Sequence, residues 1–357
     1  MILSQINQPL TSKDEFYDDY DKQSNILGII YKIIKYIIVH FCLSIILNAT
    51  KYFNVVYIDL NQKVPQEKDN NMKIALCTMA KLENLYANEF VEYHLNLGID
   101  HIFIYDDNDP NTERITDVID DKYKSKITSY ENIKGRIHNQ SEAFTECYHN
   151  NSQYYDWFLM IDMDEFLFIK NDTLKHYLSN YIFDKCDFVK FHWVYSYDND
   201  LIYYDSRPLL ERFKPPYLKN IFVKSIIRSK IPKLLYGIHS PLYSPIRNVT
   251  CTNIGEIVDT SKRKNLDVDS IGNINIDKAL IIHFRYKTAE ELITKQKRGY
   301  SDWCGDILYK FLDANIEQFF SMNRLTMEKI NYIEKELNLT LTKYKIKYYF
   351  RKLFFMN

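Results

Sequence analysis

The stretch Trp157-Phe158-Leu159-Met160-Ile161-Asp162-Met163-Asp164-Glu165-Phe166 decides the fold. An apolar run stops abruptly at three carboxylates. The run reads as a strand buried on both faces, the usual state of a strand in a parallel sheet. Side chains alternate along a strand, so this reading puts Asp162 and Asp164 on one side and Met163 and Glu165 on the other. Two like charges at the mouth of an apolar layer repel each other and are costly to desolvate. A divalent cation removes both problems, and carboxylate oxygens suit magnesium or manganese, which also bridge diphosphates. A bare D-x-D can mark no more than a strand end reaching water. The long strand before it favours the cation, because ligand crevices lie outside the carboxyl ends of open parallel sheets.

Outward from that strand, apolar and helical periods alternate. Residues 73–79 read as a strand and 83–97 as a helix that Gly98 is placed to end. Residues 101–105 read as a second strand running into Asp106 and Asp107, 126–130 as a third, and 141–150 as the helix before the acidic strand. This alternation predicts an α/β fold with right-handed crossovers and a mostly parallel central sheet. Residues 188–194, 221–228 and 279–284 are further strand candidates; 288–298 and 322–337 are helix candidates.

The 357 residues allow one large domain or two small ones, and 46% hydrophobic content supplies a sizeable core. With 46 basic and 47 acidic side chains, the near-zero net charge argues against a general electrostatic role on nucleic acid, which needs a basic face. Cys42, Cys77, Cys147, Cys186, Cys251 and Cys304 show no C-x-x-C spacing. The even count permits disulfides without implying them, and Cys77 reads as a small buried hydrophobe inside a strand.

Residues 1–24 form a polar, acid-rich tail, and 25–50 a hydrophobic helix interrupted by Lys32, Lys35 and His40. Two readings of that helix stand side by side, a single-pass signal anchor and a helix lying on a membrane surface, with a helix packed in the core as a third behind them. Residues 51–72 read as a linker, 73–320 as the main domain, and 321–357 as a C-terminal helix with a basic aromatic tail. The tail from Thr342 reads equally as a segment on an anionic membrane or as a solvated basic terminus. A membrane-associated location follows from these segments, with the compartment open.

Three motifs occur in order: M-A-K-L-E-N-L-Y-A-N-E-F-V-E-Y-H-L-N-L-G-I-D-H-I-F-I-Y-D-D-N-D at 79–109, W-F-L-M-I-D-M-D-E-F at 157–166, and I-H-F-R-Y-K-T-A-E-E-L-I-T-K-Q-K-R-G at 282–299. Over about residues 73–300 the chain resembles the family 2-like and family 92 glycosyltransferases. The resemblance implies a GT-A-like three-layer sandwich and transfer of a hexose from a nucleotide-sugar, a UDP-sugar first among them, to a glycan or lipid hydroxyl. It also implies Mn2+ or Mg2+ held by Asp162 and Asp164, with His283 as a late ligand. Lys81, Glu83, Asp106 and Asp107 fall near the nucleotide; Lys287, Lys295 and Arg298 fall where a diphosphate would lie. Gln140 reads as a donor contact or a helix cap. His192, Trp193 and His239 resemble acceptor-side segments, with Trp193 read as core.

Local alternatives accompany these assignments. Asp106 and Asp107 start strong turn chemistry. Glu83 suits a helix start, and Lys287 is expected on a solvated helix face. An inverting enzyme needs a carboxylate base, for which Glu211 and Asp302 are candidates. Two other functions remain in view. One is a degenerate relative that binds glycan or nucleotide without turnover. The other is a sugar nucleotidyltransferase, although no Gly-rich loop is present to cradle a triphosphate.

Overall fold

The computed structural model describes residue 35, residues 55–60, 71–131, 133, 137, 140–243, 248–258, 275–298 and 307–355. The tail 1–24, nearly all of the hydrophobic block 25–50, most of the linker 51–72 and Asp302 lie outside the described residues. Two compact units divide at Val55 and Val56. Everything below concerns the second, Val56–Asn357. Among the described residues no helix is long and apolar enough to cross a membrane.

The strands in chain order are β1 (Val55–Val56), β2 (Ile74–Ala80), β3 (His101–Asp106), β4 (Ile127–Tyr130), β5 (Trp157–Met160), β6 (Glu165–Ile169), β7 (Phe188–Tyr195), β8 (Tyr217–Arg228), β9 (Leu235–Tyr236), β10 (Pro241–Tyr243), β11 (Thr250–Thr252) and β12 (Ala279–His283). The main sheet runs β4-β3-β2-β5-β8-β7-β12-β6, with β11 also on β7; β9 and β10 pair separately.

Alternation along β2 explains the layering. Ile74 and Leu76 enter one core, while Ala75 and Cys77 enter the core on the opposite face. The helix Asn84–Leu97 covers the first face with Tyr86, Ala87, Phe90 and Val91. The helix Gln140–Asn151 covers the second with Ala143, Phe144, Cys147 and Tyr148. Full burial of a side chain such as Phe90 stabilises by about 1.5–3 kcal/mol. The first helix stops where Gly98 takes φ 111° and donates its N–H to the Leu95 carbonyl at 3.1 Å. A Cβ there would strain the turn.

The expected parallel character holds only in part. β2 is parallel to β3 and β5, and β3 to β4. Beyond β5 the sheet is mixed: β8 is antiparallel to both β5 and β7, and β6 is antiparallel to β12, while β7 runs parallel to β12. For β6 the cause lies in the acidic stretch itself. The chain reverses between β5 and β6 with no crossover helix. It also joins strands that have three others between them in the sheet. In a flat sheet those positions would be about 19 Å apart. The link from Met160 to Glu165 reaches about 17 Å at full extension, and it is not extended. The sheet therefore curls, and its far edge returns toward the end of β5.

Two sequence expectations need correction. Cys77 is not a lone buried hydrophobe: it is disulfide-bonded to Cys147, tying β2 to the helix Gln140–Asn151. A second disulfide joins Cys186 to Cys251. The helix expected over 322–337 starts later, as Met327–Leu337, and is preceded by a helix not expected from the sequence, Ile307–Met322. Met327–Leu337 begins where the Thr326 hydroxyl accepts from the Lys329 N–H.

Candidate active site

Asp162 and Asp164 do not continue a strand. β5 ends at Met160, and residues 162–165 make a tight turn in which the Glu165 N–H donates to the Asp162 carbonyl at 3.0 Å. The Glu165 carboxylate returns the favour by accepting from the Asp162 N–H at 3.1 Å. Met163, buried in the core, pins the turn from below. The Phe284 N–H donates to the Asp164 carbonyl at 2.9 Å, fastening the turn to the end of β12. The alternation expected from the sequence therefore fails here: Glu165 faces the same cluster as the two aspartates.

Each carboxylate meets a cation. Lys224, in the middle of β8 and wholly buried, stands 3.2 Å from Asp162 and 3.5 Å from Glu165. Gln140 donates its side-chain amide to Asp162. Lys295 donates to one oxygen of Asp164 at 2.7 Å, and Lys287 is 4.0 Å from the same oxygen. The other oxygen faces His283 Nε2 at 3.5 Å, and His283 Nδ1 faces Glu165 at 3.8 Å. Glu165 Oε1 and His283 Nδ1 are buried with no hydrogen-bond partner.

Charge states follow from these neighbours. Burial is the largest influence on Asp162 and would raise it, but Lys224, His283 and the Gln140 hydrogen bond together leave the carboxyl below its ordinary value. Burial opposes ionisation at Asp164 too, and Lys295 and His283 hold it well below the usual range. Glu165 goes the other way, pushed well above its ordinary value by burial and by Asp162. Burial lowers His283 to about 4 despite Asp164, so its imidazole is neutral at pH 7. Two anionic carboxylates and a neutral imidazole thus share one corner. Among the described residues no group of three or more His, Cys, Asp or Glu side chains forms a ready metal cage.

A cleft of about 210 Å³ opens beside Lys287 and Lys295, bounded by Leu82, Glu83, Tyr86 and Tyr204. Leu82 (φ 52°) and Lys287 (φ 53°) both adopt left-handed backbone on its rim. Non-glycine residues pay roughly 1–2 kcal/mol for that conformation, and such strain gathers at functional sites. Lys287 is buried rather than solvated, 3.8 Å from Glu83 and with its ammonium 4.4 Å from the centre of the Tyr86 ring. Burial lowers its pKa, with Glu83 opposing. Behind the cleft Arg212 grips Glu291 with two bonds of 3.0 Å, and Tyr86 donates to the same carboxylate.

The remaining sequence candidates are placed as follows. Lys81 stands 3.6 Å from Asp107 at the ends of β2 and β3. Asp106 is fully buried, its oxygens accepting from the Asn108 and Ile115 amides, which is a turn-forming role. Trp193 is a buried wall, its ring centre 4.5 Å from His283 and 4.8 Å from His239. His192 is buried beside it in β7, and burial lowers His239 to about 3. Glu211 is exposed on the short helix Leu209–Arg212. Arg298 closes the helix Ala289–Arg298, and its side chain lies outside the described residues. Sequence reasoning passed over Lys224, whose strand K-N-I-F-V-K-S-I-I-R has no clear alternation to mark an inward lysine.

A profile of glycosyltransferase family 92 matches residues 74–341. A glycosyltransferase family 92 protein of Oryza sativa subsp. japonica is 31% identical over 110 residues, 30% of this chain and 18% of that protein. One of Ricinus communis is 29% identical over 100 residues, 28% of this chain and 17% of that protein. The chain therefore spans under a fifth of the length of these curated relatives. Among solved structures, the crystal structure of S. aureus TarS aligns over 35% of this chain and 22% of that chain, at 15% identity and a TM-score of 0.21. That score carries no weight.

Proposed function

Because the chain belongs to glycosyltransferase family 92, we propose that it transfers a hexose from a nucleotide-sugar, a UDP-sugar foremost, to a hydroxyl of a glycan or glycolipid. The curled sheet with a helix layer on each face is read here as a GT-A-type sandwich. The observation that carries the reading is the corner where anionic Asp164 stands between neutral His283 and Lys295.

The donor set suits manganese or magnesium: ionised carboxylate oxygens and a neutral imidazole, which keeps one ring nitrogen free to bind. Asp162, Asp164 and His283 would hold the ion. Few protein ligands are enough, since magnesium-type sites take their remaining ligands from phosphate and water. Bound there, the ion would supply Lewis-acid stabilisation of charge on the leaving diphosphate.

In the reaction the bond from the sugar's anomeric carbon to the phosphate oxygen breaks, and a bond to the acceptor oxygen forms. The nucleoside diphosphate leaves, and the acceptor proton passes to a base. Lys295, together with Lys287, offers preorganised charge to the leaving group beside the cleft. Lys81, Glu83 and Asp107, at the carboxyl ends of β2 and β3, border the position of the nucleoside. Trp193 and His239 close the buried side and exclude water. The two disulfides fit folding in an oxidising compartment, as the secretory pathway provides.

The test is release of UDP or GDP from a donor panel, with and without Mn2+. Asp164→Asn should abolish release while the fold persists, and His283→Ala should weaken the dependence on Mn2+. Normal turnover by the Asp164 variant in metal-stripped buffer would refute the proposal. Manganese-strengthened UDP binding without release from any donor would instead mark a binding protein.

A further inference from the structure

The helix Thr342–Phe355 reads T-K-Y-K-I-K-Y-Y-F-R-K-L-F-F, with five Lys or Arg residues and no acid. It docks on the domain through Leu341 and Tyr344, both buried, and Tyr344 packs against Phe320 with ring centres 4.8 Å apart. Lys345 pairs with Glu334 at 2.5 Å. An ordinary surface helix would turn polar residues outward. Here Ile346, Tyr349 and Leu353 are 64%, 56% and 76% exposed. Their spacing of three and four puts them on one face, opposite Tyr344. Lys343 borders that face on one side and Lys352 on the other, with exposed Lys347 lying beyond Lys343. The helix thus has a second apolar stripe, facing out, between rows of cations.

We propose that this face seats the protein on an anionic lipid bilayer. Ile346, Tyr349 and Leu353 enter the boundary between headgroups and acyl chains, and Lys343, Lys347 and Lys352 reach the lipid phosphates. The charge pattern selects the occupant. A second copy would bring another all-cationic helix against this one, whereas an anionic leaflet complements it. A stripe of apolar side chains flanked by lysines is the pattern of helices that lie in the interfacial plane. The proposal does not depend on the catalytic reading.

The test uses the full chain with vesicles of phosphatidylcholine alone and of phosphatidylcholine with roughly one-third phosphatidylserine. Residues 25–50 could hold the chain on vesicles by themselves. Hydrogen exchange over residues 342–355 is therefore the readout, rather than total binding. Protection should appear on the anionic vesicles only and fade as salt is raised. Each lysine removed should weaken it about five-fold, so Lys343→Gln with Lys347→Gln and Lys352→Gln should weaken it about 100-fold. Ile346→Asn with Leu353→Asn should also lose it, with thermal unfolding unchanged because both side chains are exposed. Unchanged exchange with anionic vesicles, or full protection in either variant, would overturn the proposal. Protection that grows with protein concentration in the absence of lipid would overturn it in favour of self-association.

Discussion

Replacing Lys224 with Met is the sharpest physical test of the acidic turn. The ammonium stands 3.2 Å from Asp162 and 3.5 Å from Glu165, and donates to the Ile238 carbonyl at 2.8 Å. Its side chain has no exposure, Glu165 has none, and Asp162 keeps 26%. At an effective dielectric near 20, the Asp162 contact is worth about 5 kcal/mol of gross attraction. Desolvating the ammonium cancels several kcal/mol of that. Losing it leaves two carboxylates facing each other and strands the Ile238 carbonyl, the latter costing about 1–3 kcal/mol. Glu165, whose pKa is already raised, can take up a proton and relieve part of the repulsion. The net loss should be about 3–5 kcal/mol, the range for breaking a buried ion pair. Guanidinium unfolding followed by Trp fluorescence would measure it. Adding Glu165→Gln to the variant should recover about 1–2 kcal/mol, because it removes the repulsion without emptying the site. A loss within about 0.5 kcal/mol of zero, or a double variant weaker than Lys224→Met alone, would refute the electrostatic account.

Arg212→Met should cost about 3–5 kcal/mol in the same assay, since it leaves Glu291 charged and buried behind the cleft. Acid should destabilise the fold through His94, which burial lowers to about 3. Its Nδ1–H donates to the Phe90 carbonyl at 2.8 Å, and its Nε2 accepts from the Leu167 N–H at 3.4 Å, so the ring is held neutral. Below its unfolded pKa of about 6.5 only the unfolded chain takes the proton. Stability is therefore full above that pH and falls as pH drops toward 3, by about 2–3 kcal/mol at roughly pH 4.5 from this group alone. His94→Gln should remove that share of the slope in urea melts recorded across the window. Non-reducing peptide mapping should recover the 77–147 and 186–251 links, and Cys186→Ala with Cys251→Ala should cost about 2–4 kcal/mol.

The first half of the fold was legible because its signals are local. Ile74–Ala80, Asn84–Leu97 and His101–Asp106 are set by short apolar periods and a single glycine stop. The pairing of Asp162 and Asp164 in one corner was also legible. The turn that produces it was not, because Ile161, Met163 and Phe166 continue the apolar pattern of β5 straight through. The sheet's change of direction depends on where β8 returns, some 60 residues later, and no local period records that. Lys224 and Lys287 were hidden for a related reason. A lysine reads as solvent-facing until the carboxylates that neutralise it arrive from elsewhere in the chain. The partner of Cys77 is equally remote, on the far helix.

The short link between Met160 and Glu165 makes the acidic corner a fixed jaw. While the turn at residues 162–165 stays closed by its two hydrogen bonds, the ends of β5 and β6 cannot separate. The jaw could open only by peeling β6 from β12, breaking a ladder of five residue pairs. Any breathing that admits a bulky ligand must therefore occur on the opposite bank, around Leu82 and the helix Ala289–Arg298. Ligand-induced changes in amide exchange should concentrate there, with residues 160–165 acting as the stationary reference against which the rest of the pocket moves.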